Sequence, residues 1–497
     1  MLIVTMDVDT HEPVPAAGAS GAAGSLRELL QVAFPLVISA GSLSLMNVVD
    51  RIFIARLSVD ALAASMPTVM LNWTLISLPF GIAGYTNAFV SQYEGAGRKD
   101  RVAAAIWQGL FIGLIASLLL QPLVLFSKQI FDSMGHAPHV AQLEADYFNM
   151  LCPVAIPTLL NCVLTCFFTA RKRTAVVMWV NILMALINAC LDPILIFGWG
   201  RFKGIGIQGA AAATVTAEFV GMGLFAILLV REGRRHNYPF AETFRGDWDL
   251  FLRNIRYGFP NGVQMLLDVA AFTVFVALIG KLGTLDQAAT NLAFTLNSVA
   301  FIPMMGMGTA VMTLVGHRVG EGQPALAART VWKAFALSGG YMLLFALLYL
   351  SAPDLILSPF MHGDEKEQFE TMKPIVITLL QFVALYTFFD AMAIIFGSAI
   401  RGAGDTLFSL VFSVTSGWLL MVLPTVWIIQ QEGTLYQCWA AITAAVIVMG
   451  LGFLARFLYG KWKTMRIIEA APALPETLEA PQTDQFATSP GCPESLR

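Results

Sequence analysis

Five carboxylic acids lie inside long apolar segments of this 497-residue chain: Asp50, Asp192, Glu218, Asp268 and Asp390. A charged Asp at the centre of a lone membrane helix costs on the order of 3 kcal/mol. Such residues therefore usually face a cavity, where a proton, a cation or a basic partner neutralises them. A single acid could be structural and cap a kinked backbone or pair with one Arg. Five in one chain favour a functional role, namely reversible binding of protons or monovalent cations.

Asp192 has the most informative surroundings. Asn188 lies four residues earlier, on the same helical face, and Pro193 follows and frees a backbone carbonyl. The segment thus offers several oxygen atoms at one place, which suits a proton or a monovalent cation. If an organic cation, Na⁺ and H⁺ compete for one such carboxylate, that competition is the physical basis of antiport.

Two further acids have a polar residue four positions earlier. Gln264 precedes Asp268, and Tyr386 precedes Asp390. A spacing of four places both members of each pair on one face of a helix. These pairs are the second set of candidates for ion binding.

Glu218 and Arg51 each allow two interpretations. Glu218 is either an additional ion-coupling residue or a structural partner of a neighbouring helix. Arg51 either lies nearer the outer surface or pairs with Asp50, and such pairing would hold Asp50 ionised and unsuited to carrying protons. The sequence leaves both questions open.

The composition excludes a soluble globular chain. Hydrophobic residues make up 57% and charged residues 13%, against about 25% charged in soluble domains. Apolar runs long enough for a bilayer span of about 20 residues predict an all-α integral membrane protein with twelve transmembrane helices. Their predicted ranges are 27–56, 61–91, 101–127, 140–170, 174–198, 208–231, 251–281, 286–318, 325–351, 367–401, 405–430 and 434–460.

Polar segments divide the chain into two six-helix lobes, 26–231 and 251–464, joined by a loop at 232–250. Residues 1–25, rich in Ala, Gly and Ser, and residues 465–497, rich in Pro, Glu, Thr and Ser, are predicted to be disordered tails. The net charge of −3 says little about partners. We expect a lipid bilayer and a small cationic substrate as partners, no nucleic acid, no cofactor, and function as a monomer.

Lys and Arg are concentrated in every second connection. Because positive loops stay inside, this alternation predicts a multi-pass protein of the cell inner membrane with both termini and the inter-lobe loop in the cytoplasm. The basic positions are Arg98, Lys99, Arg101, Arg171, Lys172, Arg173, Arg231, Arg234, Arg235, Arg245, Arg253, Arg256, Arg318, Arg329, Arg401, Arg456, Lys461, Lys463 and Arg466.

The two lobes repeat each other. A shift of 225 residues without a gap matches fifteen identical positions between Phe34 and Trp107, among them Pro35/Pro260, Asn72/Asn297, Gly81/Gly306, Gly95/Gly320 and Trp107/Trp332. Duplicated membrane domains are typical of secondary transporters. Six helices per repeat give parallel lobes, related by a pseudo-twofold axis along the membrane normal.

Two features of the repeat bear on function. Pro35 and Pro260 are its paired prolines and are candidate hinges, although prolines are also common in ordinary membrane helices. The acids, by contrast, break the repeat, since Asp50 aligns with Phe275 and Asp268 with Leu43. The lobes are therefore expected to do different jobs.

Across roughly residues 25–465 the chain resembles the multidrug and toxic compound extrusion (MATE) family, in its NorM-like branch. The matching stretches are Val49–Leu57 (VDRIFIARL), Gln92–Gly97 (QYEGAG), Asn188–Ile196 (NACLDPILI), Gly206–Thr214 (GIQGAAAAT), Gly258–Pro260 (GFP) with Asp268, and Asp390 followed by Ala399–Thr406 (AIRGAGDT). The chain departs from the family in having Asp268 where this branch usually has Glu, and Arg51 where a Thr is more usual.

This resemblance implies two lobes around a V-shaped cavity. It also implies alternating-access export of organic cations, drugs or toxic metabolites in exchange for Na⁺ or H⁺, with no enzymatic activity. By the same resemblance, Asp50, Asn188 and Asp192 form the N-lobe cation or proton site, and Asp268, Tyr386 and Asp390 the C-lobe site. Apart from Na⁺ at these sites, no metal is expected.

Two other functions remain as alternatives. A flippase or exporter of lipid-linked or polyanionic substrates would favour a basic cavity, whereas the intramembrane charges here are mainly acidic. An integral membrane enzyme of the prenyltransferase kind would carry an Asp-Asp-x-x-Asp cluster, which the sequence lacks. It also lacks the Gly-x4-Gly-Lys-Ser/Thr loop of an ATP-driven pump.

Overall fold

A computed structural model of the chain describes residues 24–358 and 366–469. Twelve helices in these ranges are long and apolar enough to cross a membrane, which confirms the predicted number and class. They are α1 (Leu26–Leu57), α2 (Asp60–Gly95), α3 (Lys99–Asp132), α4 (Pro138–Ala170), α5 (Thr174–Phe197), α6 (Ile207–Arg235), α7 (Trp248–Ile279), α8 (Thr284–Gly320), α9 (Pro324–Ser351), α10 (Glu370–Ala403), α11 (Thr406–Gln430) and α12 (Leu435–Tyr459).

Local sequence sets where the helices begin. The Ser25 hydroxyl accepts a hydrogen bond from the Glu28 amide at the start of α1, and the Asp247 carboxylate does the same for the Leu250 amide in α7. Each cap satisfies an amide that the first helical turn leaves unpaired. Between α5 and α6 the chain forms a two-stranded ribbon, β1 (Gly198–Trp199) and β2 (Phe202–Lys203).

Helix α11 contains a π-helical turn at Gly417–Val422. Such a turn inserts an extra residue into the helix and often marks a functional site. The tryptophan inside it, Trp418, donates a hydrogen bond of 3.3 Å from Nε1 to the backbone oxygen of Leu267 in α7. The irregular part of α11 is therefore fixed against α7.

The lobe boundaries differ slightly from those expected. Helix α6 continues to Arg235 and α7 begins at Trp248, so the inter-lobe loop is shorter than the predicted 232–250. After α12, residues Met465–Glu469, which we call the C-terminal strap, pack against the helices, with Ile467 and Ile468 buried. The structured chain thus extends five residues past the predicted boundary at 464, while 1–23 and 470–497 lie outside the described residues.

The two lobes contact each other through reciprocal glycines, as the repeat predicts. A Cβ added to Gly81 in α2 would lie 2.5 Å from the Cα of Gly262 in α7. A Cβ added to Gly306 in α8 would lie 2.7 Å from the backbone nitrogen of Val37 in α1. Because 37 and 262 are also repeat mates, the two contacts are equivalent under the pseudo-twofold axis.

The predicted hinge prolines lie beside these contacts. Pro35 is in α1, two residues before Val37, and Pro260 is in α7, two residues before Gly262. Each proline removes one hydrogen bond of its helix next to the place where the lobes touch. That location suits a hinge, which stays a prediction.

The hydrogen bonds that join the lobes within the described ranges all lie toward one end of the molecule. Examples run from Asn87 to Thr313, from Asn254 to Thr86 and from Asn261 to the backbone oxygen of Gly81. This end, which carries Arg98, Arg101, Arg171, Arg253 and Arg318, is the basic end of the molecule. Among the described residues, the lobes are therefore hydrogen-bonded to each other at the basic end and not at the opposite one.

Candidate ion-binding site

In the N-terminal lobe, side chains from three helices meet around two buried acids. Asp50 in α1 is 8% exposed, whereas Asn188 and Asp192 in α5 are both fully buried. The Thr214 hydroxyl in α6 donates to Asp50 Oδ2 at 3.2 Å, and Asn188 Nδ2 donates to the Thr214 oxygen at 3.4 Å. The structure thus brings together all three N-lobe residues predicted from the sequence.

Asp50 and Asp192 are close enough for their carboxyl groups to interact with each other. Two carboxylates cannot hydrogen-bond to each other unless one of them holds a proton. Both cannot readily stay ionised so close together away from water. The arrangement therefore favours a bound proton or a cation.

Unsatisfied oxygen atoms point to the same conclusion. Asp50 Oδ1, Asn188 Oδ1 and both carboxylate oxygens of Asp192 are buried and lack a hydrogen-bond partner. An unpartnered buried polar atom costs roughly 1–3 kcal/mol. Oxygen atoms of this kind are the ligands preferred by hard cations, so the cluster has the chemistry to hold Na⁺ or H⁺.

In the C-terminal lobe, Asp268 in α7 is held by α11. The Ser413 hydroxyl lies 2.9 Å from Asp268 Oδ1 and 3.2 Å from Oδ2, and Gln264 Nε2 donates weakly to Oδ2 at 3.4 Å. Ser413 precedes the π-helical turn of α11 by four residues. Asp268, Gln264 and Ser413 thus form one polar group, which lies next to the π-helical turn of α11.

Asp390 in α10 lies apart from this group. Neither Asp268 nor any other residue in the described ranges forms a hydrogen bond or ion pair with the Asp390 carboxylate, which is partly exposed. Tyr386, one turn earlier, is buried. The structure therefore places Tyr386 and Asp390 on one face of α10, as predicted, but does not join them to Asp268.

Comparison with known proteins identifies the family. The MatE family model matches residues 35–194 and 260–427, one segment in each lobe. The chain belongs to the MatE family. The two matched segments begin at repeat mates Pro35 and Pro260, so the MatE match follows the duplication found in the sequence.

Curated MatE relatives cover nearly the whole chain. A probable multidrug resistance protein NorM of Bradyrhizobium diazoefficiens is 27% identical over 470 residues, which are 92% of this chain and 99% of the relative. A probable NorM of Brucella suis is 25% identical over 441 residues, 87% of this chain and 92% of the relative. These relatives are transporters, so this MatE chain is a multi-pass membrane transporter rather than an enzyme.

Solved structures agree on the MatE fold. An outward-facing multidrug resistance MATE transporter of the MOP superfamily matches with a TM-score of 0.79 at 21% identity, over 87% of this chain and 95% of the other. A MOP superfamily transporter from Pyrococcus furiosus, described as having a binding pocket of reverse polarity, also matches with a TM-score of 0.79 at 21% identity, over 88% and 97%.

The structure settles the contacts of two ambiguous residues in this MatE chain. Arg51 is exposed and makes no ion pair with Asp50 or with any other described residue. Glu218 accepts a hydrogen bond of 2.7 Å from Asn161 Nδ2 in α4. Glu218 therefore links α6 to α4 and is not bonded to the Asp50–Asp192 pair.

Three residues around the buried acids of this MatE chain were not predicted from the sequence. Thr214 bonds to Asp50, Ser413 bonds to Asp268, and Tyr147 in α4 is buried close to both Asp50 and Asp192. Hydroxyl residues are too common in membrane helices to stand out by type. Thr214 closes a family-like stretch, which was the one signal available for any of the three.

Proposed function

We propose that this protein exports organic cations, including drugs and toxic metabolites, in exchange for H⁺ or Na⁺ by alternating access. The observation that carries the proposal is the buried pair Asp50 and Asp192, whose unpartnered oxygens a proton or a cation would satisfy. Multidrug resistance proteins named NorM among the relatives support the substrate class. Asp268 with Ser413, and Asp390 with Tyr386, are proposed as ion sites of the second lobe.

Exchange of the organic cation for H⁺ or Na⁺ follows if both depend on the charge of the same carboxylate. A carboxylate that binds H⁺ or Na⁺ on one side of the membrane is neutral, and it regains its charge when it releases that ion on the other. An organic cation that favours the ionised state and an ion that neutralises it then displace each other. Binding is coupled without direct contact between the two ligands, since both act on the same ionisation equilibrium.

The orientation is proposed from the distribution of charge. Basic residues gather at the end where the lobes are joined, so the positive-inside rule places this end, with both termini, on the cytoplasmic side of the cell inner membrane. With the lobes joined at the cytoplasmic end, the state proposed for this structure is the outward-facing one. One chain carries the candidate acids of both lobes, which supports function as a monomer.

The acidic spans argue against the alternative of lipid-linked or polyanionic substrates. A polyanion would be repelled by Asp50, Asp192, Asp268 and Asp390 unless several cations accompanied it. Arg51 and Arg56 on the helix of Asp50, and Arg401 on the helix of Asp390, are too few to reverse the balance. Export of cations is therefore the function best supported by the charges.

The test is transport by the purified protein in proteoliposomes with a fluorescent cation such as ethidium. Na⁺ and pH gradients are imposed separately, with a valinomycin-clamped membrane potential as the control. We expect one of the two gradients to drive ethidium movement in the parent protein and not in Asp192→Asn. If neither gradient moves ethidium or any other lipophilic cation, the antiport proposal is wrong.

A further inference from the structure

The lobes meet at the basic end through two junctions that the repeat makes equivalent. In the first, Glu28 of α1 accepts a hydrogen bond of 2.6 Å from Arg318 Nη2 of α8. A shift of 225 residues converts this pair into Arg253 of α7 and Tyr93 of α2. Arg253 Nη2 and the Tyr93 hydroxyl do face each other, at 3.5 Å.

The two junctions differ in charge. The first pairs a carboxylate with a guanidinium group, whereas the second sets the guanidinium of Arg253 against a neutral phenol. Arg98, just before α3, and Arg101 in α3 also lie beside Tyr93, with cation–π distances of 5.5 and 5.7 Å. The second junction thus has three cations. Asp247, the N-cap of α7, pairs with Arg101 at 2.6 Å, but among the described residues no carboxylate of α2 or α7 pairs with Arg253 across the lobes.

Glu469 of the C-terminal strap supplies the carboxylate. Its Oε2 lies 2.8 Å from Arg253 Nη1 and 2.7 Å from the Tyr93 hydroxyl. Its Oε1 lies 2.7 Å from Arg98 Nη2 and 2.9 Å from Arg101 Nε. One side chain therefore connects the C-terminal lobe, through Arg253, with three residues of the N-terminal lobe.

The strap is seated specifically. The Ile467 amide donates to Gln92 Oε1 at 3.2 Å, and Gln92 Nε2 donates to the Gly402 backbone oxygen at 3.0 Å, so α2, α10 and the strap are bonded in series. Ile467 and Ile468 are 3% and 8% exposed. The strap is not helical, so it can leave this position without unfolding a helix.

We propose that Tyr93, Arg98, Arg101 and Arg253 form a carboxylate-binding cradle shared by the lobes, and that its ligand, Glu469, makes the strap a detachable latch on the basic end. The proposal rests on the alternating-access cycle proposed above. The latch holds the lobes together in the present state. It must release Arg253 or the N-lobe arginines when the lobes separate at this end.

The charge of the ligand is constant. Partial burial acts to raise the pKa of Glu469, but hydrogen bonds from Tyr93 and Arg253 and the charge of Arg101 outweigh it and lower the pKa to about 2. Glu469 is therefore ionised throughout the physiological pH range. The latch responds to the separation of the lobes and not to cytoplasmic pH.

The test measures lobe separation by pulsed electron–electron spin resonance in lipid nanodiscs. Spin labels are placed at the exposed repeat mates Asp100 and Ala325, after the six native cysteines are replaced. We expect Glu469→Gln to increase the ratio of separated to joined molecules about tenfold, the effect of losing charge-assisted hydrogen bonds. If Glu469→Gln cannot be purified, Glu469→Asp replaces it, because the shorter side chain cannot reach both lobes.

The matched control is Asp249→Asn. Asp249 pairs with the same Arg253 at 3.0 Å but lies on the same helix and does not connect the lobes. Its substitution should leave the distance distribution unchanged. An unchanged distribution in Glu469→Gln, or an equal shift in Asp249→Asn, overturns the latch.

A rescue variant tests the symmetry argument. Tyr93→Glu places a carboxylate opposite Arg253, as Glu28 stands opposite Arg318, and should restore the joined state in the Glu469→Gln background. Failure to restore it overturns the claim that Glu469 replaces a carboxylate missing from the repeat. The distances are recorded without substrate or ion gradients. If Glu469→Gln separates the lobes but the parent protein does not exchange cations, the latch stands and only the antiport proposal is wrong.

Discussion

Gly95 in α2 and Gly320 in α8 each pack, across the lobe interface, against the residue three positions before the other glycine. A Cβ on Gly95 would overlap the backbone oxygen of His317, and a Cβ on Gly320 would overlap the backbone oxygen of Gln92. Gln92 and His317 are themselves repeat mates. The ends of α2 and α8 thus approach as closely as backbones can, and only glycine fits at either position.

Gly95→Ala should therefore push the lobes apart at the basic end. We expect a loss of about 1–3 kcal/mol in the free energy of the joined state, which is the usual cost of overpacking. The spin-label distances described above measure it. Gly340→Ala in α9 is the control, because a Cβ there meets nothing within 4 Å; an equal effect of both variants would contradict the interface explanation.

Asp192→Asn should abolish gradient-driven transport while the protein remains folded. The amide cannot exchange a proton and does not carry the charge that a coupling ion neutralises. Ethidium transport in proteoliposomes measures the effect, and size-exclusion chromatography checks folding. Asp132→Asn at the exposed end of α3 should transport at the parental rate; normal exchange by Asp192→Asn would remove the N-lobe pair from the mechanism.

Ser413→Ala tests the C-terminal lobe. Ser413 donates a hydrogen bond to Asp268, and a hydrogen bond to an ionised group contributes about 1.5–3 kcal/mol. The variant should bind the coupling ion about tenfold more weakly or worse. Half-maximal transport should then need a correspondingly higher ion concentration. Ser409→Ala, one turn earlier, should be neutral, since Ser409 Oγ is buried and has no hydrogen-bond partner among the described residues.

Asp390→Asn and Asp268→Asn should each remove resistance in cells. Expression of the parent in a pump-deficient bacterial host should raise tolerance to lipophilic cations, because export lowers their internal concentration. Growth at graded ethidium concentrations measures tolerance, and immunoblots of the membrane fraction confirm equal expression. Full tolerance in both variants would mean that these two acids are not needed for export.

The latch should contribute stability that depends on pH in one direction. The pKa of Glu469 is lowered from 4.5 to about 2 in the folded protein, so its contribution is complete above pH 4.5 and is lost as the pH falls toward 2. The Tm difference between the parent and Glu469→Gln should be constant from about pH 5 to 8 and shrink below about 4.5. A difference that changes between pH 6 and 8 would assign the effect to another group.

The sequence predicted the parts of this molecule that depend on residue type and spacing. Twelve apolar runs gave the twelve helices, and the paired glycines of the repeat lie at the reciprocal contacts between the lobes. Asn188 and Asp192 could be paired because a spacing of four gives one helical face, which is local geometry that a sequence encodes directly. Their grouping with Asp50 came from the resemblance to the MATE family.

Other features could not be predicted. The π-helical turn of α11 depends on how the helix packs against α7, and its sequence is ordinary for a membrane helix. Ser413 is one of many hydroxyl residues. Glu469 lies at the start of a segment whose composition is typical of disorder, and its role appears only once Arg98, Arg101 and Arg253 are seen to surround it.

The two acids nearest the centres of α1 and α7 occupy equivalent helices at different depths. Asp268 aligns with Leu43, seven residues before Asp50 and so nearer the basic end. Seven helical residues span about 10 Å, about a third of a hydrocarbon core of roughly 30 Å. Moving a unit charge across that distance changes its free energy by about 0.8 kcal/mol at a membrane voltage of about 100 mV. Ions bound at the two proposed sites would therefore respond unequally to voltage, and an energised membrane would favour binding at one lobe over the other.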